Sequence, residues 1–262
     1  MLRILLLLIF CFGFQTNAQF LNDVLDLKNP KAFYLDELSN IYVIQKDNSV
    51  FMYNSNGDSL GAYQNIQDGD LKFIDAKNPL KLLCFYPDFS KIVFLDKMLS
   101  VKGTIQLLSL GYNNIGAVAT AQDGNVWLFD EDKQQLFKID EQGKVFFQSE
   151  DIRSLTLETI YPKYMVEDRS KVYIADQKKG IFVFDRYANF LNSILIEDME
   201  NVQVYRDLLF YKERGGFYLR NFKNGKTQKL KLPKGLDFID AKIDNIFMYS
   251  LYKNRLLKTE IK

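Results

Sequence analysis

Val172-Tyr173-Ile174-Ala175, a polar link from Asp176 to Gly180, and Ile181-Phe182-Val183-Phe184 form the stretch whose reading decides the fold. Each run is four residues long and rich in β-branched and aromatic types, which suits a strand and is too short for a helix. The same pair of runs recurs along the chain. Ile41-Tyr42-Val43-Ile44 leads through polar residues to Val50-Phe51-Met52-Tyr53, and Leu82 to Tyr86 leads through Pro87-Asp88-Phe89-Ser90 to Ile92-Val93-Phe94-Leu95. Val126-Trp127-Leu128-Phe129 precedes Leu136-Phe137-Lys138-Ile139, and Leu208-Leu209-Phe210-Tyr211 precedes Phe217-Tyr218-Leu219. Ile246-Phe247-Met248-Tyr249 precedes Leu256-Leu257-Lys258.

The first runs begin at positions 41, 82, 126, 172, 208 and 246, a mean period of 41 residues. A strand-built period of about 40 residues marks a β-propeller with one blade per repeat. The runs are apolar on both faces, as expected when each blade packs against a neighbour on either side. Asn56-Gly57, Gln142-Gly143, Tyr187-Ala188-Asn189 and Asn224-Gly225 supply turns after the second run of a pair, because Gly and Asn tolerate positive φ. A strand that precedes each pair is visible in Phe73-Ile74-Asp75-Ala76-Lys77, which recurs word for word as Phe238-Ile239-Asp240-Ala241-Lys242. The interruption from Ser149 to Lys163 has room for a loop or one helical turn.

The fold expected is therefore all-β: one six-bladed propeller of four-stranded blades. The sixth repeat ends at Lys262 without a fourth strand. Phe20 to Leu27 offers one, and its pairing with Leu256 to Ile261 would close the ring and remove two exposed sheet edges. Residues 1–18 read as a secretory signal peptide: Arg3 supplies the charge, Ile4 to Phe14 the apolar core, and Thr16-Asn17-Ala18 the small-residue cleavage site. A spanning helix needs about 20 apolar residues, so a membrane anchor is disfavoured. Residues 19–262 form the propeller domain, expected in the periplasm or secreted, with no transmembrane segment of its own after cleavage.

The fourth repeat, Val172 to Asp176 with Ile181 to Asp185, resembles the NHL-type propeller repeat, and the third, Val126 to Asp140 with Gly143, is similar to it. The resemblance implies a propeller over nearly all of residues 19–262. The Ala18-Gln19 junction and the Lys-, Asn- and Phe-rich composition resemble exported proteins of Bacteroidota. That implies a partner in an outer-membrane secretion or assembly complex, for instance of type 9 secretion.

The chain has 34 Lys and Arg against 33 Asp and Glu, so with Arg3 removed the charges balance, which argues against a general nucleic-acid binder. From Asn221 to Lys262 basic residues exceed acidic ones by ten to four, which reads as solvated strand faces or as a basic edge for an acidic partner. The sequence contains no histidine, which removes Ser-His and Cys-His nucleophilic systems and the commonest metal ligand and general base. Cys84 is the only cysteine beyond the signal, so no internal disulfide forms, and its apolar neighbours suggest a buried, inert thiol. No cofactor and no metal site is expected.

The remaining candidates are few. Asp130-Glu131-Asp132 and Glu197-Asp198 with Glu200 could offer oxygen ligands to Ca²⁺, or be ordinary acidic turns. Asp75 and Asp240, at matching places in the repeated pentapeptide, are candidate channel carboxylates for sugar hydrolysis or ligand binding; the structural alternative is hydrogen bonding to neighbouring first strands. Phe89, Tyr252, Lys253 and Arg255 lie in or beside turns and are candidate partner contacts. These features together favour a non-catalytic protein-interaction scaffold of the cell envelope. The alternative is a lactonase- or glycosidase-like hydrolase, or a small-ligand receptor, that uses the channel carboxylates.

Overall fold

A computed structural model of the chain describes residues 22–65, 67–230 and 238–261. The signal peptide, residues 1–18, and the first two residues of the expected closing strand lie outside the described residues.

The first strand, β1 (Asn22–Asp26), is followed by β2 (Pro30–Leu35), β3 (Ile41–Gln45), β4 (Val50–Tyr53) and β5 (Ser59–Tyr63), the last four making blade one. Blade two is β6 (Phe73–Asp75), β7 (Leu82–Tyr86), β8 (Lys91–Leu95) and β9 (Val101–Gln106). Blade three is β10 (Ile115–Thr120), β11 (Val126–Asp130), β12 (Gln135–Ile139) and β13 (Val145–Gln148). The helical turn α1 (Ile152–Thr156) stands in the interruption before blade four. That blade is β14 (Pro162–Asp168), β15 (Lys171–Asp176), β16 (Gly180–Asp185) and β17 (Phe190–Ile194). Blade five is β18 (Glu200–Tyr205), β19 (Leu208–Glu213), β20 (Gly216–Asn221) and β21 (Thr227–Lys229). Blade six takes β22 (Asp240–Asp244), β23 (Phe247–Tyr252) and β24 (Arg255–Glu260) from the end of the chain and β1 from its beginning.

The ring is thus a propeller of six four-stranded antiparallel blades, closed by β1. In that seam Leu25 pairs with Leu256 and Asp26 with Arg255, with a register shift between Asp23 and Leu25. The Leu27 N–H then donates to the Asn254 carbonyl at 2.6 Å.

Burial explains why the second and third strands read so clearly. Every residue of β7 and of β11 is buried, because both faces of each strand meet a neighbouring blade. The outer strands β13 and β21 hold no buried residue, so their sequences are ordinary surface sequences. The apolar core is six clusters, one at each contact between adjacent blades. The cluster at the seam joins Leu25 and Leu27 to Phe33, Ile41 and Val43 of blade one and to Tyr249, Leu251 and Leu256 of blade six. Closure therefore buries apolar surface as well as satisfying an edge.

The inner strands run parallel down the central channel. One end of the ring carries the hairpins between second and third strands and the long connections from outer to inner strands. The other end carries the hairpins between first and second and between third and fourth strands.

Candidate functional site

Buried polar side chains in the inner strands reach across to the neighbouring blade. Asp75 of β6 accepts from the Thr120 N–H of blade three at 2.8 Å, and Asp240 of β22 accepts from the Phe33 N–H of blade one at 3.5 Å. The Tyr164 hydroxyl accepts from the Val204 N–H at 3.1 Å, and Gln203 Oε1 accepts from the Ile243 N–H at 2.7 Å while its Nε2 donates back to the Ile243 carbonyl at 3.0 Å. Between blades three and four the direction reverses. Glu167 reaches back from β14 and accepts from the Gln122 N–H at 3.1 Å and from Trp127 Nε1 at 2.7 Å. No two inner strands pair with each other among the described residues, and a side chain on one blade completes the backbone of the next.

Of these residues Asp75, Tyr164, Gln203, Val204 and Ile243 line a cavity of about 610 Å³ that follows the channel along blades one, two, four, five and six. Its volume falls in the range of small-molecule pockets. Tyr34, Phe73 and Tyr164 stand in it as an edge-to-face row, with ring centroids 5.5 Å apart for the first pair and 6.3 Å for the second. Burial pushes the phenols of Tyr34 and Tyr164 well above their ordinary pKa.

Most of its charges are already engaged. Asp36 accepts from the Leu38 and Asn40 N–H groups and from the Tyr42 hydroxyl, which caps the β2–β3 hairpin. Asp244 accepts from Ser39 Oγ and from the Tyr205 hydroxyl. Lys77 pairs with Asp168 at 2.8 Å and donates to the Glu167 carbonyl at 2.6 Å. Asp168 Oδ2 is buried and has no hydrogen-bond partner.

Asp75 lines this cavity and Asp240 does not. The shared pentapeptide sits in two registers. Asp75 is the last residue of its strand and pairs with Leu83, whereas Asp240 is the first of its strand and pairs with Leu251. Relative to the second strands the two differ by three residues, roughly 10 Å along the channel. Each carboxylate accepts a backbone N–H of the next blade, which is the structural role. Lys242 also pairs with Asp240 at 2.5 Å. Among the described residues no group of three His, Cys, Asp or Glu side chains is placed to hold a metal ion. Asp130-Glu131-Asp132 is split instead. Asp130 accepts from the N–H groups of Asp132 and Lys133, Asp132 accepts from Asn114 Nδ2, and Glu131 turns inward over Gly116.

Phe89, Tyr252, Lys253 and Arg255 share the end of the ring that carries the long connections. Phe89 is exposed in a one-turn 3-10 helix, with its ring edge over Gly69. Tyr252 is folded back against Phe238, and Lys253 lies 5.2 Å above the Tyr252 ring. Arg255 pairs with Asp23 of β1, so it stitches the seam. The same end exposes Leu108, Leu157, Tyr161, Leu195 and Ile239 on the connections between blades, with Leu157 91% and Leu195 71% accessible. The opposite end exposes Leu38, Leu80, Met98 and Ile246 on short hairpins.

Sequence reasoning passed over Glu167 and Gln203, and read Glu131 only as part of an acidic turn that could bind Ca²⁺. Gln203 carried a readable signal, a polar residue between two apolar ones in a first-strand run (Val202-Gln203-Val204), whereas Glu167 is followed by Asp168 and Arg169 and reads as the polar end of its strand. The position of Glu131 depends on a glycine 15 residues away and carried none.

No protein-family model matches the chain, and no curated protein matches it in sequence. Solved structures do match its shape. A variant of virginiamycin B lyase from Staphylococcus aureus, with one histidine replaced by alanine and described as catalytically inactive, aligns with a TM-score of 0.66 at 12% identity over 94% of this chain and 100% of that one. The β-propeller domain of Cps50 (Swd1) from Myceliophteria thermophila aligns with a TM-score of 0.66 at 7% identity, again over 94% and 100%. An extracellular domain from B. thetaiotaomicron aligns with a TM-score of 0.58 at 13% identity over 90% of this chain and 33% of that one. At these identities the likeness is one of fold, the β-propeller.

Proposed function

We propose that this propeller is a non-catalytic binding module of the cell envelope that holds another protein on the end of the ring carrying its long connections. The observation behind this reading is the set of large apolar side chains exposed there: Phe89, Leu108, Leu157, Tyr161, Leu195 and Ile239. Side chains of this kind cost solvation when left in water and gain it back on docking. Leu157 is the clearest case. It caps α1 in a left-handed backbone conformation, φ 60°, which projects it away from the body of the protein. The export signal read at residues 1–18 and the NHL-like and Bacteroidota-like features favour an envelope partner, with a type 9 secretion complex as one setting.

The non-catalytic part of the proposal rests on chemistry. The lyase of similar fold is described as inactive when one histidine is replaced, and this chain contains no histidine at all. The inner-strand carboxylates Asp75 and Asp240 are spent on the neighbouring backbone.

The test is affinity capture from detergent-solubilised envelopes of the source cells with residues 19–262 as bait. Wild type should recover a saturable partner, and the Leu157→Asp/Leu195→Asp variant should lose it while remaining folded. Recovery of nothing by the wild type sinks the proposal. So does retention by that variant combined with loss by Leu38→Asp/Leu80→Asp, which would move the contact to the opposite end.

A second reading is favoured by the channel cavity itself. A volume of about 610 Å³ lined by four rings, Tyr34, Phe73, Tyr164 and Tyr205, and by an unpartnered Asp168 oxygen suits a small-molecule receptor.

A further inference from the structure

A smaller cavity, about 190 Å³, opens beside the channel at the end that carries the long connections, between the inner strands of blades two, three and four. It shares Phe73, Lys163, Tyr164 and Met165 with the channel, and the Phe73 and Tyr164 rings form the wall between them. An apolar cavity of about 150 Å³ is enough to hold benzene. The floor is apolar: Phe85, Ile115, Ala117, Val118 and Met165.

Three charged side chains line it: Glu131, Lys72 and Lys163. The Glu131 backbone is fixed by two hydrogen bonds. Its N–H donates to the Asn114 carbonyl at 2.9 Å, and its carbonyl accepts from the buried Gln134 Nε2 at 2.8 Å. Its carboxylate lies on Gly116, where a Cβ would come within 2.3 Å of Oε1. Burial raises the Glu131 pKa above its ordinary value, and Lys163 acts in the opposite direction. Among the described residues the carboxylate takes part in no hydrogen bond or ion pair, and neither Lys72 nor Lys163 has an ion-pair partner. A half-buried carboxylate with no hydrogen-bond donor is costly to maintain, and here it lies at an apolar floor beside two exposed ammonium groups.

We infer that this pocket binds a small zwitterion of the α-amino acid type with an apolar side chain. The ligand ammonium meets Glu131, its carboxylate meets Lys72 and Lys163, and its side chain fills the floor. The ligand ammonium answers the carboxylate that lacks a donor, its carboxylate matches the two exposed lysines, and its side chain matches the apolar floor. The pocket opens on the same end of the ring as the docking face proposed above, but amino-acid binding is read on the isolated protein, so its failure and the failure of the docking proposal are distinguishable.

Calorimetric titration of residues 19–262 with L-leucine and with L-phenylalanine at neutral pH tests the inference. Saturable binding of at least one is expected. Isocaproate lacks the ammonium and isoamylamine lacks the carboxylate, so each should bind about tenfold more weakly or worse than leucine. Glu131→Gln, on a surface turn, should weaken leucine binding about tenfold with an unchanged circular dichroism spectrum. Gly116→Ala should abolish binding, and Glu131→Gln carries the test if that variant does not fold. No saturable heat with either amino acid at millimolar concentration overturns the inference. Equal binding by the two truncated analogues, or undiminished binding by Glu131→Gln, overturns it as well.

Discussion

The indole Nε1 of Trp127 donates to the Glu167 carboxylate at 2.7 Å across the contact between blades three and four, with both side chains buried. Trp127 belongs to β11 and Glu167 to β14, so the bond ties two blades together. The other carboxylate oxygen, Glu167 Oε1, is buried without a partner, which leaves Glu167 dependent on Trp127 and on the Gln122 N–H.

Replacing Trp127 by Phe should cost about 1.5–3 kcal/mol, because a buried charged acceptor then loses a donor. The double variant Trp127→Phe/Glu167→Met should cost less than the sum of its two single variants. Urea unfolding of the three proteins measures this. Strict additivity would show that the bond carries no coupling.

Deleting residues 19–27 opens the seam. It exposes the β24 edge and removes Leu25 and Leu27 from a cluster shared by blades six and one. Losing a buried leucine side chain costs roughly 2–5 kcal/mol, so the deletion should lower Tm by more than about 10 °C. An unchanged melting curve would mean that β1 does not close the ring in solution.

Gly57 makes its own claim on the seam. Its φ is +92°, and a Cβ there would lie 2.5 Å from the Val24 carbonyl oxygen of β1. Gly124 has a similar φ of +87° with nothing within 4 Å. Gly124→Ala should therefore cost only the backbone strain, about 1–2 kcal/mol, and Gly57→Ala should cost clearly more. Equal Tm losses in the two variants would remove Gly57 from the seam.

Alkaline pH should destabilise the protein. Burial pushes the Cys84 thiol up to about 12 and raises the phenols of Tyr42 and Tyr86 as well. In the unfolded chain a thiol ionises near about 8.5 and a phenol near about 10. The unfolded state thus gives up these protons first. The stability they contribute is complete below about pH 8.5 and is lost as pH rises through that range toward the folded values. The urea midpoint should fall between about pH 8 and pH 10.5. Native Cys84 should also resist a thiol reagent that titrates it fully in denaturant. A flat midpoint, or a reactive native thiol, would contradict the burial.

The blades were legible because their middle strands are buried on both faces. β7 and β11 have no exposed position, so their apolar runs are uninterrupted and their spacing reports the blade period directly. The outer strands were faint for the opposite reason: β21, Thr227–Lys229, is wholly exposed and looks like any polar surface segment. The pentapeptide shared by residues 73–77 and 238–242 shows where local identity stops being informative. Both copies enter inner strands, yet one strand ends at Asp75 and the other begins at Asp240. Register is set by which backbone groups the neighbouring strand offers and by which side chains fit between blades, and neither is encoded in five residues.

The sequence by itself determined the class, the number of blades, the exchange of the chain's first strand into the last blade, and the absence of histidine chemistry. Those features depend on periodicity and composition, which are local or additive along the chain. Only the tertiary structure decided which polar residues face the channel and which complete a neighbouring backbone. It spent Asp75 and Asp240 on Thr120 and Phe33, folded Tyr252 onto Phe238, and seated Glu131 over Gly116. Such placements are set by contacts between blades some 40 residues apart, where a donor on one strand meets an acceptor on another.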